Sequence, residues 1–143
     1  MKLAYQKTSP HATFDRKTTG AAGYDLSAVE DVVVTDGSGT VLVNTGVRVA
    51  IPEGYVGLLT LRSGFAVKSG PIIRCVTNPG IIDSDYRGEL RVPLATVAFD
   101  SYHIKAGDRI AQLVIVPCPT FEALEADLDS TERGDGGFGS TGS

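Results

Sequence analysis

Apolar residues recur at every second position along most of this chain, and in few places at the three-to-four spacing of a helix. Residues 41–43, 47–51, 55–61, 72–76, 89–97 and 109–116 follow this pattern, and 32–34 is a shorter stretch of the same kind. They are rich in Val, Ile, Leu and Thr, with Gly, Pro, Asp or Asn between them. A period of two sends alternate side chains to opposite faces of a sheet. Many short strands separated by turn signals predict an all-β sandwich or barrel and argue against alternating βαβ units. Two short helices are expected beside them. Residues 63–68, SGFAVK, have Ser63 as a cap and Gly70 as a stop. Residues 121–128, FEALEADL, are the second.

A chain of 143 residues with 42% hydrophobic and 21% charged side chains can build one core, and without Trp that core must be aliphatic with a few Phe and Tyr. The formal net charge of -4 excludes a global basic field for duplex nucleic acid. An anionic ligand then needs local cations, backbone N–H groups or a metal ion. Cys75 and Cys118 form no CxxC and have no His cluster nearby, so they are read as small apolar residues in strands rather than as zinc ligands. The opening MKLAYQKTSPH has no apolar signal-like core, and no run reaches membrane-spanning length. The expectation is a cytoplasmic protein without a membrane role. After Asp127 the sequence becomes DLDSTERGDGGFGSTGS, with one aromatic and no aliphatic residue beyond Leu128. Such a segment cannot bury enough surface to stay ordered unaided. The expected organisation is a β-domain over residues 1–128 and a flexible arm over 129–143.

Five stretches carry polar residues in places where chemistry is plausible. In PGIIDSDYRGEL, residues 79–90, two Ile precede an Asp-Ser-Asp turn. The simple reading is a β-hairpin whose turn Asp83 and Asp85 stabilise. The functional reading takes Asp83, expected to be semi-buried at a strand end, as a base of tuned strength. AAGYDLSA, residues 21–28, reads as a tight turn feeding a strand that carries Asp25. LRSGFAVK, residues 61–68, sets Arg62 beside Ser63 and Gly64 at a helix start, a combination suited to phosphate. RIAQLVIV, residues 109–116, is apolar on both faces except for Gln112. A buried amide costs about 1–3 kcal/mol without partners, so Gln112 either is satisfied structurally or holds a water or a backbone group. The terminal RGDGGFGSTG offers Arg133, backbone N–H groups, Ser140 and Thr141 for phosphate, and the Phe138 ring for a base.

Taken together and in order, AAGYDLSA, RSGFAVK, GIIDSDYRGEL, GDRIAQLVI and RGDGGFGSTG resemble the five motifs of the homotrimeric dUTPases, and NTGVRVAIPEGYVGLL, residues 44–59, is similar to the family's linking segment. The resemblance covers nearly the whole chain. It implies a jelly-roll-like β fold, with one or two short helices and a Gly-rich C-terminal arm, assembled as a homotrimer with shared active sites. It implies hydrolysis of dUTP to dUMP and pyrophosphate with Mg²⁺, which limits uracil in DNA and supplies dUMP for dTMP synthesis. By the same resemblance Asp83 activates a water for attack on the α-phosphorus, and Gln112 helps hold that water or the α-phosphate. Tyr86 lies under the deoxyribose and excludes a 2′-hydroxyl. Arg62, Ser63 and Gly64 hold phosphates, and Asp25 supports the site. Arg133, Gly139, Ser140 and Thr141 close over the γ-phosphate while Phe138 covers the uracil. The segment from Thr77 to Arg91, with Asn78, Ile81 and Ile82, reads the base through its backbone. Mg²⁺ is held by substrate phosphates and waters, with no direct protein ligand.

Two departures stand out. Thr77 occupies a position where many members have Asn, with Asn78 next, and Leu61 stands where many have Pro. Two alternatives share the fold: a dCTP deaminase, which needs a Glu acid/base in its hairpin motif, and a regulator that binds a protein partner with dUTP as its switch.

Overall fold

A computed structural model of the chain describes residues 1–70, 72–97 and 100–137. Its elements run in the order β1 (Ala4–Lys7), β2 (Gly23–Ser27), β3 (Val32–Thr35), β4 (Val41–Ala50), β5 (Tyr55–Leu61), α1 (Ser63–Ser69), β6 (Ile73–Cys75), β7 (Gly80–Ile82), β8 (Glu89–Thr96), β9 (Ser101–Ile104) and β10 (Arg109–Pro117). One four-stranded sheet has the order β1-β4-β8-β6 and a second has β2-β10-β5-β7, while β3 and β9 pair as a ribbon. All pairings are antiparallel. The architecture is all-β, as the period-two pattern predicts, and jelly-roll-like, as the resemblance implies.

The core forms where the alternating apolar sets of the two sheets meet. Leu90, Val92 and Leu94 of β8 are buried at every second position, as are Val43, Thr45, Val47 and Val49 of β4. From the other sheet come Leu26, Leu59, Ala111 and Leu113, and the apolar side chains among these belong to one cluster. Full burial of each such side chain contributes on the order of 1.5–3 kcal/mol. At the edge, Phe14 stacks on Tyr24 with ring centroids 4.5 Å apart, which ties the segment before β2 to the sheet.

The two apolar runs at 41–43 and 47–51 are one strand, β4, with a register shift between Asn44 and Arg48. Gly46 makes this possible: it has φ 64°, a region other residues rarely adopt. Its N–H is satisfied by Glu89 Oε1 at 2.8 Å, and neighbouring Thr45 donates to the Leu90 carbonyl at 2.6 Å. The irregularity is therefore bonded rather than frayed.

Several expectations need correction. Residues 121–128 form no helix. Phe121, Leu124 and Leu128 are 84, 86 and 93% exposed, so their apolar side chains find no surface to cover, and a helix of two turns is marginal without packing. Pro117 and Pro119 just before it favour extended backbone. In α1 the capping residue is Arg62, with extended backbone and no side-chain cap bond, and Ser63 is already helical; Gly70 ends the helix as expected. Residues 79–90 do not make a hairpin. β7 pairs with β5 and β8 pairs with β4 and β6, so the loop between them crosses from one sheet to the other. Cys75 lies in β6, but Cys118 is exposed just beyond β10.

Candidate active site

The polar residues of the second sheet share its outer face. Gln112 on β10 stands opposite Asp25 on β2 and Thr60 on β5, and opposed residues point the same way. Gln112 is half-buried rather than enclosed. Asp25 is buried, at 6% exposure, and a buried carboxylate is tolerated only with charged or hydrogen-bonding partners. Arg62 Nε donates to its Oδ1 at 2.8 Å and Arg109 Nη1 to its Oδ2 at 3.1 Å. The Asp25 backbone N–H donates to the Asp15 carbonyl at 2.8 Å, which pins the residue from a further side. Arg62 and Arg109 open, with Gly64 and Lys68, onto a cleft of about 370 Å³. Ser63 is exposed at the start of α1.

A second cleft, also about 370 Å³, lies beside the loop after β7 and is lined by Ile81, Ile82, Asp83, Tyr86 and Arg91, among others. The Tyr86 N–H donates to the Asp83 carbonyl at 3.2 Å, closing the turn. Tyr86 Oη donates to the Glu89 carbonyl at 3.0 Å, which fixes the ring. Asp83 is exposed on the single chain, not semi-buried: it follows the last residue of β7, where no strand covers it. Thr77 and Asn78 precede β7 and are exposed. Asn78 Oδ1 accepts a bond from Thr60 Oγ1 at 3.0 Å, so Asn78 joins the row that contains Gln112. Burial raises the Cys75 thiol above its ordinary pKa, so this neighbour of the loop is a protonated group at neutral pH.

The two clefts lie at opposite ends of β5. Ile82 pairs with Gly57, five positions before Arg62, and a strand rises about 3.3 Å per residue, so roughly 17 Å of strand separates them. Arg133 is exposed, with its Nε donating to the Gly136 carbonyl at 2.8 Å. Phe138, Gly139, Ser140 and Thr141 lie outside the described residues.

Comparison with known proteins identifies this arrangement. A family model described as dUTPase matches residues 10–142. The chain belongs to the dUTPase family. It is 46% identical over 144 residues to the deoxyuridine 5'-triphosphate nucleotidohydrolase of Hydrogenobaculum sp. (strain Y04AAS1), covering 99% of both chains. It is 46% identical over 142 residues to the same-named protein of Paramecium bursaria Chlorella virus 1, covering 99% of this chain and 94% of that one. Among solved structures it is similar to a Staphylococcus bacteriophage 80alpha dUTPase in complex with dUPNHPP, with a TM-score of 0.80, 33% identity and 99% of each chain covered. A dUTPase from phage phi11 of S. aureus, described with a structural Mg(II) ion, gives a TM-score of 0.76 at 30% identity, covering 90% of this chain and 98% of that one.

In this dUTPase family member the residue that motif reading overlooked is Arg109. Residues 109 and 112 differ by an odd number, so a regular strand puts them on opposite faces. The register shift between Arg109 and Ala111 inserts one extra residue and brings both to the outer face. Only a bulge, which alternation does not reveal, places Arg109 on Asp25. As for a metal, no group of three or more His, Cys, Asp or Glu among the described residues is placed to hold one. Both Asp25 oxygens already serve arginines. That donor set fits an ion bound mainly through a ligand's phosphates and water, the usual habit of Mg²⁺. No helix among the described residues is long and apolar enough to cross a membrane.

Proposed function

We infer that this chain hydrolyses dUTP to dUMP and pyrophosphate, with Asp83 as the group that orients and deprotonates the attacking water. The observation that carries the reading is the pair of half-sites: an exposed carboxylate beside a nucleoside-sized cleft at one end of β5, and a carboxylate-anchored arginine cluster at the other. The first suits a deoxynucleoside and its α-phosphorus, the second a chain of phosphates. Roughly 17 Å of strand separates them on one chain, which supports a site completed between copies and hence the homotrimer of the family. Motifs around Asp25, Arg62 and Gln112 come from one chain, the Asp83–Tyr86 loop from a second, and the arm carrying Arg133, Phe138, Gly139, Ser140 and Thr141 from a third.

In that site Asp83 takes a proton from water as it attacks the α-phosphorus in line, and pyrophosphate leaves. Gln112, held opposite Asp25 and Thr60, donates its amide to the α-phosphate or the water. Arg62, Ser63 and Gly64 hold the phosphate chain, and Arg91 lies at the edge of the nucleoside cleft. The backbone from Thr77 through Asn78, Ile81 and Ile82 presents donors and acceptors to uracil. Tyr86, fixed by its bond to the Glu89 carbonyl, packs on the deoxyribose and leaves no room for a 2′-hydroxyl. Mg²⁺, when present, would be held by the substrate phosphates and water rather than by protein ligands, and would supply charge neutralisation for the phosphate chain that Arg62, Ser63 and Gly64 orient. The soluble substrate and the two free cysteines fit a reducing cytoplasm. The last strand ends at Pro117, so the arm is read as starting after β10 rather than at residue 129.

The direct test is pyrophosphate release from dUTP against dTTP, dCTP and UTP, with Mg²⁺. Selective release from dUTP is expected, and none would refute the assignment. Asp83→Asn is expected to keep nucleotide binding and lower kcat by about 10²–10⁴-fold, the usual share of a general base. Tyr86→Ala should relax discrimination against UTP.

A further inference from the structure

Arg62 is not the lone cation held by Asp25. The buried carboxylate divides its two oxygens between two guanidiniums, 2.8 Å from Arg62 Nε and 3.1 Å from Arg109 Nη1. A guanidinium carries five N–H donors, and Asp25 takes one from each arginine. The remainder are directed elsewhere, and both residues line the same cleft of about 370 Å³. The Arg109 side chain is 39% exposed there, more than Arg62 at 27%. Lys68 adds a third cation to the lining, against the carboxylates of Asp25 and Asp108. Asp108 lines the cleft too, with its Oδ2 accepting the Lys105 N–H at 2.9 Å.

We propose that Arg109 is a further phosphate-binding arginine beside Arg62, and that Asp25 is a positioning residue that aims Arg62 and Arg109 together at the phosphate chain. The proposal rests on the dUTP-hydrolysing reading above. Its physical basis is pre-organisation: a long cationic side chain loses several rotamers on binding, and a buried anchor removes that cost before the ligand arrives. One carboxylate anchoring two forks leaves a net positive cluster that suits successive phosphoryl groups. The β-bulge at Arg109 and Ala111 then has a functional consequence, because it turns Arg109 to the phosphate side of β10.

The test compares a non-hydrolysable dUTP analogue with dUMP, which lacks the outer phosphates. Binding of both is measured by calorimetry for the wild type, Arg109→Ala, Arg109→Lys and Arg109→Gln. Gln keeps an amide donor for Asp25 while removing the charge, so the fold can be checked by melting temperature and far-UV circular dichroism. In folded Arg109→Gln the triphosphate analogue should bind on the order of tenfold or more weakly, as for loss of charged hydrogen bonds. The change for dUMP should be much smaller, and Arg109→Lys should recover part of the loss. KM for dUTP should rise while turnover at saturation falls less. Equal weakening of the analogue and dUMP, or unchanged analogue binding in folded Arg109→Gln, would overturn the proposal. Absence of pyrophosphate release by the wild type would instead defeat the parent reading.

Discussion

Two glycines illustrate what the site asks of single residues. A Cβ on Gly23 would lie 2.8 Å from Gln112 Oε1 and 3.2 Å from Gln112 Cβ. Gly23 and Asp25 share the outer face of β2, so the bare backbone at Gly23 is the room in which the Gln112 amide lies. Gly88 has the same relation to Tyr86, whose hydroxyl and ring sit well inside contact distance of a Cβ placed there. Gly23→Ala should therefore fold, since the nearest obstacle is the movable end of a side chain, yet turn Gln112 aside. The expected result is a melting temperature close to wild type with kcat lowered about 10–100-fold, as for a misplacement of about 1 Å. Activity near wild type would mean that Gln112 does not need this placement. Motif reading could mark Gln112 as the polar residue of an apolar strand. It could not assign Gly23 a role, because the neighbour that fills its space is distant in sequence and reached only through β2–β10 register.

At the scale of elements, legibility followed burial. β5 was readable to the residue, because a strand packed between β10 and β7 must alternate strictly. β1 and β9 were not. All of β1 is exposed, and β9 buries one residue, Ile104, so neither carries the apolar signal that alternation detects. Each exists because a partner strand offers it hydrogen bonds. Such peripheral pieces also rely on surface ties. Lys105, after β9, donates to Asp31 Oδ2 at 2.8 Å, and the Ala106 N–H donates to Asp31 Oδ1 at 2.9 Å. These bonds hold the Asp31 carboxyl below its ordinary pKa, while the hydrogen bond to Asp31 raises the Lys105 ammonium above its own. The Asp31 contribution is present above the unfolded-state value and fades as pH falls through the lower folded value. The Lys105 contribution is present below its unfolded value and fades as pH rises through its higher folded value. Asp31→Asn should thus lower the melting temperature slightly between about pH 5 and pH 9, and the gap to wild type should close in acid. A gap that stays constant below pH 3.8 would show that the tie is not electrostatic. Both groups are fully exposed, so salt should shrink the effect.

At the scale of the molecule, a single chain is, on the proposed reading, an incomplete machine. Its two half-sites stand at opposite ends of β5, and the segment after β10 leaves the domain with every residue from Cys118 to Asp135 exposed. Arg133 lies fifteen positions beyond Cys118, and extended chain spans about 3.3 Å per residue, so the arm can reach roughly 50 Å. A domain of this size has a radius of gyration of about 14 Å. Arg133 can therefore be delivered to a site on a neighbouring copy; among the described residues its side chain bonds to the Gly136 carbonyl. The tail's composition signalled that it would not fold into the domain, and its residues signalled phosphate; where it acts is legible only from the geometry of the rest. Removing everything after Glu132 leaves both sheets and the whole core intact, so the shortened protein should keep its melting temperature and elute at the mass of three chains in light scattering. With Arg133 gone, dUTP turnover should fall by about 10²–10³-fold, the usual cost of losing a donor aimed at developing charge. Binding of dUMP, which has no γ-phosphate, should be affected far less. A truncated trimer with full turnover would remove the arm from the reaction, and a truncated monomer would mean that the arm holds the assembly together rather than closing over its ligand.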